Sequence, residues 1–152
     1  NGSFQEVIDD AAFAGGSTAG VKRVILCSGK VYFELADRRE KLGRKDIAIV
    51  RVEQFYPLHT KLLTQILSRY PKTAEMIWCQ EEPRNAGGYL YMDDAVRHQL
   101  GMSGLKYIGR ETCATPATGS KHAHKDQQEE IIVRAIGALP APAGKPAAVA
   151  HA

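Results

Sequence analysis

The sequence has little cysteine and no motif that a dithiol or metal site would need. Its 152 residues include three cysteines, at positions 27, 79 and 113, and no two of them have CxxC spacing. Cys27 and Cys79 lie in apolar, strand-like runs, whereas Cys113 lies in a turn-rich segment. We therefore expect three reduced thiols in a reducing compartment, with Cys27 and Cys79 buried as structural residues.

Long apolar runs and a strong charge imbalance are also missing. No apolar run approaches the ~20 residues of a membrane-spanning helix. Residues 1–4 lack the basic and apolar regions of a secretory signal and include no initiator methionine, so we expect a fragment or a processed product. The formal net charge is +3, and the basic residues are interspersed with acidic ones. The sequence therefore predicts neither a membrane nor a nucleic acid as a partner.

Motifs for nucleotide binding and nucleophilic catalysis are absent as well. The sequence has no GxGxxG run, no P-loop motif, and no serine or cysteine in a nucleophile-elbow motif. His122 and His124 precede the last predicted helix, but no third metal ligand is near them in the sequence, which favours helix capping or surface exposure. We therefore predict no catalytic residue and no metal site in this chain.

What the sequence does contain is an alternation of buried-strand runs and amphipathic helical segments. We predict strands at 4–8, 21–26, 46–52, 76–79 and 105–108, and helices at 31–42, 57–70, 89–100 and 125–136. This alternation is typical of a parallel sheet with helices on both faces. We divide the chain into an edge strand with a linker (1–20), an α/β domain (21–137) and an Ala/Pro-rich tail that we expect to be disordered (138–152).

Local signals mark the ends of the first two predicted helices. Gly43 is a plausible C-cap of the first helix, and Pro57 suits the first turn of the second. A basic cluster surrounds the end of the first helix, where the helix dipole favours cations, and we expect it to form a solvated face. Its members are Arg38, Arg39, Lys41, Arg44 and Lys45.

One candidate site lies where a predicted strand leads into the first helix. Ser28, Gly29 and Lys30 occupy this junction, and a helix N-terminus offers free amides and a favourable dipole to an anion. Lys30 would then bind a phosphate or a partner's carboxylate, with Arg110 or Lys121 as further basic groups. The alternative is a tight turn that needs glycine, with Lys30 solvated.

The second candidate is the stretch WCQEEPRNAGG at 78–88, which carries charge to the end of a buried strand. Ligands and partner domains usually meet an open α/β sheet at the carboxyl ends of its strands. Glu81 and Glu82 could form an acid/base pair, but neighbours along a strand point to opposite sides and would not share a proton. We predict instead that Glu81, Glu82, Arg84 and Asn85 lie at a domain or subunit interface, with capping or solvation of the carboxylates as the alternative.

Five ordered blocks of sequence resemble one known family. They are CSGKVY at 27–32, DIAIVRVEQFYP at 46–57, WCQEEPRN at 78–85, YIGR at 107–110 and ATPATG at 114–119. In this order they are similar to the C-terminal domain of the E1 component of 2-oxoglutarate dehydrogenase, which is of the transketolase type. The resemblance implies a three-layer α/β/α, Rossmann-like domain with a mostly parallel five-stranded sheet, in which residues 4–8 form an antiparallel edge strand.

The resemblance also implies a function. The family's enzyme uses thiamine diphosphate and Mg²⁺ to decarboxylate 2-oxoglutarate in the tricarboxylic acid cycle and passes the succinyl group to a lipoyl group on E2. Preceding domains, absent here, hold that cofactor, so the chain alone would bind none and be non-catalytic. Its expected partners are those domains, a second E1 subunit, E2 and, as an alternative regulatory role, an acetyl-CoA or nucleotide effector. The expected compartment is the bacterial cytoplasm or the mitochondrial matrix.

Overall fold

The computed structural model describes residues 3–114 and 121–140, with side chains in the last helix from residue 123 onward. In these ranges the strands are β1 (Val7–Ile8), β2 (Arg23–Cys27), β3 (Ile47–Val52), β4 (Glu75–Pro83) and β5 (Lys106–Arg110). The helices are α1 (Val31–Lys41), α2 (Thr60–Leu67), α3 (Tyr89–His98) and α4 (Lys121–Ala135), with a short 3-10 turn at Ala11–Phe13. No helix in the described ranges is long and apolar enough to cross a membrane.

The strands form one sheet in the order β1-β3-β2-β4-β5. The pairs β2–β3, β2–β4 and β4–β5 are parallel, whereas β1 runs antiparallel to β3 with Val7 opposite Val52. Helices α2 and α3 cover one face of the sheet, and α1 and α4 cover the other. The predicted fold class, including the antiparallel edge strand, is confirmed.

Two apolar cores explain why the central strands have nearly continuous hydrophobic runs. Along β2, Val24 and Leu26 face the α2–α3 layer, whereas Ile25 and Cys27 face the α1–α4 layer. Because both faces are covered, every residue from Val24 to Cys27 is fully buried. Cys27 and Cys79 are both buried, as predicted, and desolvation raises the pKa of the Cys79 thiol to about 12.

Several predicted element boundaries were wrong by a few residues, and two of these differences have a clear cause. Helix α2 begins at Thr60 rather than at Pro57, because His59 is its N-cap and the His59 Nδ1 accepts a hydrogen bond of 3.1 Å from the Leu62 N–H. Strand β4 continues past the apolar run to Pro83, which pairs with Arg110 across an irregularity in the β4–β5 register. The strand therefore includes the glutamates that were expected to follow it.

The prediction of a solvated basic cluster was wrong for its first two members. Arg38 is 8% exposed, and its Nη2 donates to both carboxylate oxygens of Glu129 at 2.8 and 2.7 Å. Arg39 forms an ion pair with the buried Asp10. These arginines are covered because α4 and the segment before β2 pack against α1, and both supply carboxylates. Lys45 is exposed, as predicted.

The segment before β2, predicted to be an edge strand with a linker, is attached to the domain through its two aspartates. Besides Arg39, Asp10 accepts a hydrogen bond of 2.7 Å from the Ile49 N–H. Asp9 accepts one of 2.6 Å from the Tyr70 hydroxyl and pairs with Arg69. Of the tail predicted to be disordered, residues 141–152 lie outside the described part of the chain.

Candidate functional site at the carboxyl edge of the sheet

The parallel sheet brings the predicted site residues to a common edge. The carboxyl ends of β2, β4 and β5 lie side by side because these strands are parallel neighbours. Ser28 to Lys30 follow β2, Glu81 and Glu82 lie near the end of β4, and Arg110 ends β5. Lys121 begins α4, but its side chain lies outside the described residues.

The turn between β2 and α1 combines a required glycine with a paired lysine. Gly29 has a φ of 70°, in the left-handed region that favours glycine. Its N–H donates to Glu53 Oε1 at 3.4 Å, so a carboxylate of the same chain already faces this helix N-terminus. Lys30 Nζ lies 3.2 Å from Glu81 Oε1. Ser28 is half-buried beside them. The anion-binding role of these residues stays a prediction.

A cleft of about 350 Å³ separates the first turns of α1 and α4, and Lys30 lies on its wall. Its lining carries charges of both signs and consists of Lys30, Glu34, Glu81, His124, Lys125, Gln128 and Glu129. Three carboxylates therefore face the basic groups, and a phosphate in this cleft has to compete with Glu81 for Lys30. Arg110 reaches the same region, since its Nη2 lies 2.9 Å from His124 Nε2.

The two adjacent glutamates have different environments. Glu81 is half-buried and paired with Lys30, whereas Glu82 is exposed. As neighbours within a strand their side chains leave opposite faces of the sheet, so the geometry does not favour a shared proton. Among the described side chains, which are those of residues 3–114 and 123–140, no three His, Cys, Asp or Glu are arranged to hold a metal ion.

Arg84 and Asn85, predicted to lie at an interface, make contacts within the chain. The Arg84 guanidinium lies over the rings of Tyr89 and Tyr107, 4.8 and 5.3 Å from their centroids. The Asn85 amide pairs with the backbone of Cys113, donating at 3.0 Å and accepting at 3.2 Å. These contacts hold the loop after β4 against β5. Arg84 and Asn85 are nevertheless both exposed to solvent.

The sequence analysis missed Gln80, which organises this whole loop. Its side chain is buried, and its Oε1 accepts hydrogen bonds from Trp78 Nε1 at 2.7 Å and from the Tyr89 N–H at 3.0 Å. Its Nε2 donates to the carbonyls of Pro83 and Ala86 at 2.9 and 2.8 Å. The sequence does contain a signal for Gln80, a single amide side chain between an apolar run and two carboxylates. An amide buried at such a position needs hydrogen-bond partners.

Four large apolar side chains along the same edge are exposed to solvent. Tyr56 is 85% exposed, Phe33 63%, Leu90 59% and Tyr91 36%. They follow the carboxyl ends of β3, β2 and β4, because α1 and α3 begin there. We call the three aromatic residues among them, Tyr56, Phe33 and Tyr91, the aromatic rim. Exposed apolar side chains of this size at one edge of the sheet offer surface that another protein could bury.

Comparison with known proteins gives the same family as the five sequence blocks. A family model described as 2-oxoglutarate dehydrogenase C-terminal matches residues 1–136. The "2-oxoglutarate dehydrogenase E1 component" of Rickettsia felis is 42% identical over 141 residues, covering 90% of this chain and 14% of the relative. The "Oxoglutarate dehydrogenase" of Buchnera aphidicola is 44% identical over 137 residues, covering 90% of this chain and 15% of the relative. The chain thus spans about a seventh of these curated relatives.

Proposed function

The chain belongs to the 2-oxoglutarate dehydrogenase C-terminal family, and we propose that it is the non-catalytic assembly domain of a thiamine diphosphate-dependent 2-oxoglutarate dehydrogenase E1. In this role it joins the preceding E1 domains and a second E1 subunit, in a complex with lipoyl-bearing E2. The complete enzyme would work in the tricarboxylic acid cycle, in the bacterial cytoplasm or the mitochondrial matrix.

The aromatic rim is the observation that supports this proposal. Tyr56 follows β3 and Phe33 follows the neighbouring strand β2, and both side chains are largely exposed in this chain. Protein–protein interfaces bury aromatic side chains of this kind at their centre. Arg51 lies beneath this edge, 4.6 Å from the Tyr32 ring centroid and 5.6 Å from that of Phe33. The Arg51 Nε also donates to Glu53 at 2.9 Å, which holds the guanidinium that faces Phe33 in place.

Thiamine diphosphate and Mg²⁺ belong, in this proposal, to the preceding part of the enzyme. The described residues offer no group of acidic or histidine ligands that fits Mg²⁺. The chain's contribution is to hold subunits together and thereby to keep the catalytic domains in place.

The test is a substitution at the rim in the complete enzyme. Tyr56→Ser should raise the dimer dissociation constant at least about tenfold, because an exposed aromatic at an interface centre contributes strongly to affinity. Leu139→Ser is the matched control, since Leu139 is 46% exposed and lies outside the rim. Sedimentation velocity across a dilution series measures dimerisation, and activity is measured in parallel. Unchanged dimerisation in a Tyr56, Phe33 and Tyr91 triple serine variant refutes the proposal.

We propose a regulatory role as the second candidate, with the cleft between α1 and α4 taking the phosphate of an acetyl-CoA or nucleotide effector. Two observations favour it. Lys30, His124 and Lys125 share this cleft, and Arg110 contacts His124. In addition, Arg110 Nε is buried and makes no hydrogen bond to any described residue, which is unusual for a charged donor.

Calorimetric titration of acetyl-CoA and AMP into the complete enzyme tests this role. Glu81→Gln should tighten binding because it frees Lys30 from its carboxylate partner, and Lys30→Ala should weaken it. Lys45→Ala, at an exposed lysine outside the cleft, is the control. If Glu81→Gln weakens binding or leaves it unchanged, the effector does not use Lys30.

A further inference from the structure

A second surface lies at the opposite, amino edge of the sheet, away from the candidate site. It is a groove of about 810 Å³, bounded by the end of α2, the starts of β4 and β5, and the two loops that precede these strands. Clefts of about 300–1,000 Å³ are the usual size of ligand sites. We call it the amino-edge groove.

The floor of the amino-edge groove is apolar. Leu67 and Ala74 are buried in it, while Met76, Leu100 and Met102 are half-buried and pack against the core from the groove side. Methionine side chains are flexible and polarisable, so a floor that contains two of them adapts to apolar groups of different shape.

The margin of the groove is basic. Glu75 is the carboxylate in its lining, and it pairs with Arg23 at 2.8 Å and with Lys106 at 2.6 Å. The hydrogen bond from Lys106 and the charge of Arg23 hold the pKa of Glu75 below its ordinary value, so this carboxylate stays ionised at neutral pH. Lys72, also in the lining, is exposed. The lining of the groove itself therefore carries two positive charges, from Lys72 and Lys106, and one negative charge, from Glu75.

One wall of the groove leaves the backbone open to a ligand. Gly101 and Ser103 lie on this wall and have small side chains. Among the described residues, no heavy atom beyond its chain neighbours lies within 4 Å of the position that a Cβ on Gly101 would occupy. A peptide can therefore approach the main chain closely here.

From these features we propose that the amino-edge groove binds an acidic peptide segment of another protein, whose apolar side chains enter the Met76–Met102 floor while its carboxylates meet Lys72 and Lys106. The charge of the margin selects the sign of the partner, and the floor provides the apolar contact. This site is separate from the aromatic rim, so the two proposals can fail independently.

Methyl NMR of the chain labelled at the methionine ε-carbons tests the proposal directly. The sequence has three methionines, of which Met76 and Met102 line the groove and Met92 is fully buried in the core. The probe is a short synthetic peptide in which pairs of glutamates alternate with leucine or phenylalanine. At low ionic strength it should shift the Met76 and Met102 signals and leave the Met92 signal in place.

Charge variants of both partners make the test specific. Lys72→Glu should weaken peptide binding about fivefold, whereas Lys45→Glu, at an exposed lysine away from the groove, should not change it. Added salt should weaken binding because exposed charges are screened. The same peptide with lysine or glutamine in place of glutamate should bind far less.

Four results overturn the proposal. The first is no shift of Met76 and Met102 with the acidic peptide, and the second is an equal shift with the lysine or glutamine peptide. The third is a shift that follows the chain's own concentration without peptide, which would make a second copy the occupant. The fourth is a shift caused only by ending the chain at residue 140, which would make residues 141–152 the occupant.

Discussion

Replacing Gln80 by leucine should destabilise the domain more than any surface change of similar size. Leucine has nearly the volume of glutamine but no polar atoms, so Gln80→Leu leaves the buried donors Trp78 Nε1 and Tyr89 N without their acceptor. It also removes the amide donor from the carbonyls of Pro83 and Ala86, although the Pro83 carbonyl still accepts from the Ala86 N–H. The substitution therefore removes hydrogen bonds while preserving the packing.

The magnitude follows from the two buried donors. An unsatisfied buried polar group costs about 1–3 kcal/mol. The two carbonyls add less, because that of Pro83 keeps the Ala86 N–H as a donor and Ala86 is an exposed residue. We therefore expect the free energy of unfolding to fall by roughly 3–5 kcal/mol, which is a large part of a domain's total stability. The loop after β4 should lose order first, because Gln80 is what ties it to Trp78.

Urea unfolding followed by fluorescence measures this loss with a probe at the site. The sequence has a single tryptophan, Trp78, and it donates directly to Gln80. Gln65→Leu is the matched control, because Gln65 is an exposed residue of α2 and the same change there should stay within about 0.5 kcal/mol. The m-value should be the same for both variants.

A glutamate at position 80 distinguishes the contribution of the amide's donor group from that of its acceptor oxygen. Gln80→Glu keeps an oxygen for Trp78 and Tyr89 but places a carboxylate against carbonyl oxygens in a buried position. The pKa of the introduced carboxyl should rise on folding, so the variant should be most stable at acid pH and lose stability as pH rises through that pKa. A loss below about 1 kcal/mol for Gln80→Leu, or a Gln80→Glu variant as stable as the wild type at neutral pH, would refute this account of the loop.

Three other features give separate predictions. A thiol reagent should modify Cys113 in the native chain and reach Cys27 and Cys79 only on unfolding, because both of the latter are buried and their pKa values are raised by desolvation; rapid modification of all three would contradict this. Asp10→Asn should cost about 3–5 kcal/mol in urea unfolding because it leaves a largely buried arginine without its counter-ion, and a neutral result would show that the segment before β2 is not held by this pair. The pKa of Glu75 is lowered in the fold, chiefly by the hydrogen bond from its lysine partner. Its contribution to stability is therefore present above its unfolded pKa of about 4.3 and lost as pH falls through the folded value. The difference in unfolding free energy between wild type and Glu75→Gln should accordingly disappear at acid pH. A difference that increases there would exclude this ion pair as its cause.

The sequence alone determined the fold class because each strand and helix of this domain has a hydrophobic pattern that neighbouring residues display. A strand buried on both faces needs an unbroken apolar run, as at Val24 to Cys27, and a helix packed on one side needs apolar residues at helical spacing, as at Leu63, Ile66 and Leu67. The burial of Cys27 and Cys79 follows from the same runs. The five sequence blocks also identified the family, since they can be compared with known sequences without a structure.

The tertiary structure decided which charges meet. Arg38 and Glu129 are 91 positions apart, and no local pattern distinguishes this buried pair from the exposed Lys45 nearby. The same holds for the Glu81 carboxylate that meets Lys30 and for the basic margin of the amino-edge groove. Hydrophobic periodicity fixes the face that a residue occupies, because it depends on neighbours within a turn or a strand. The partner of a charge depends instead on which elements the layered packing brings together, and that is a property of the whole fold.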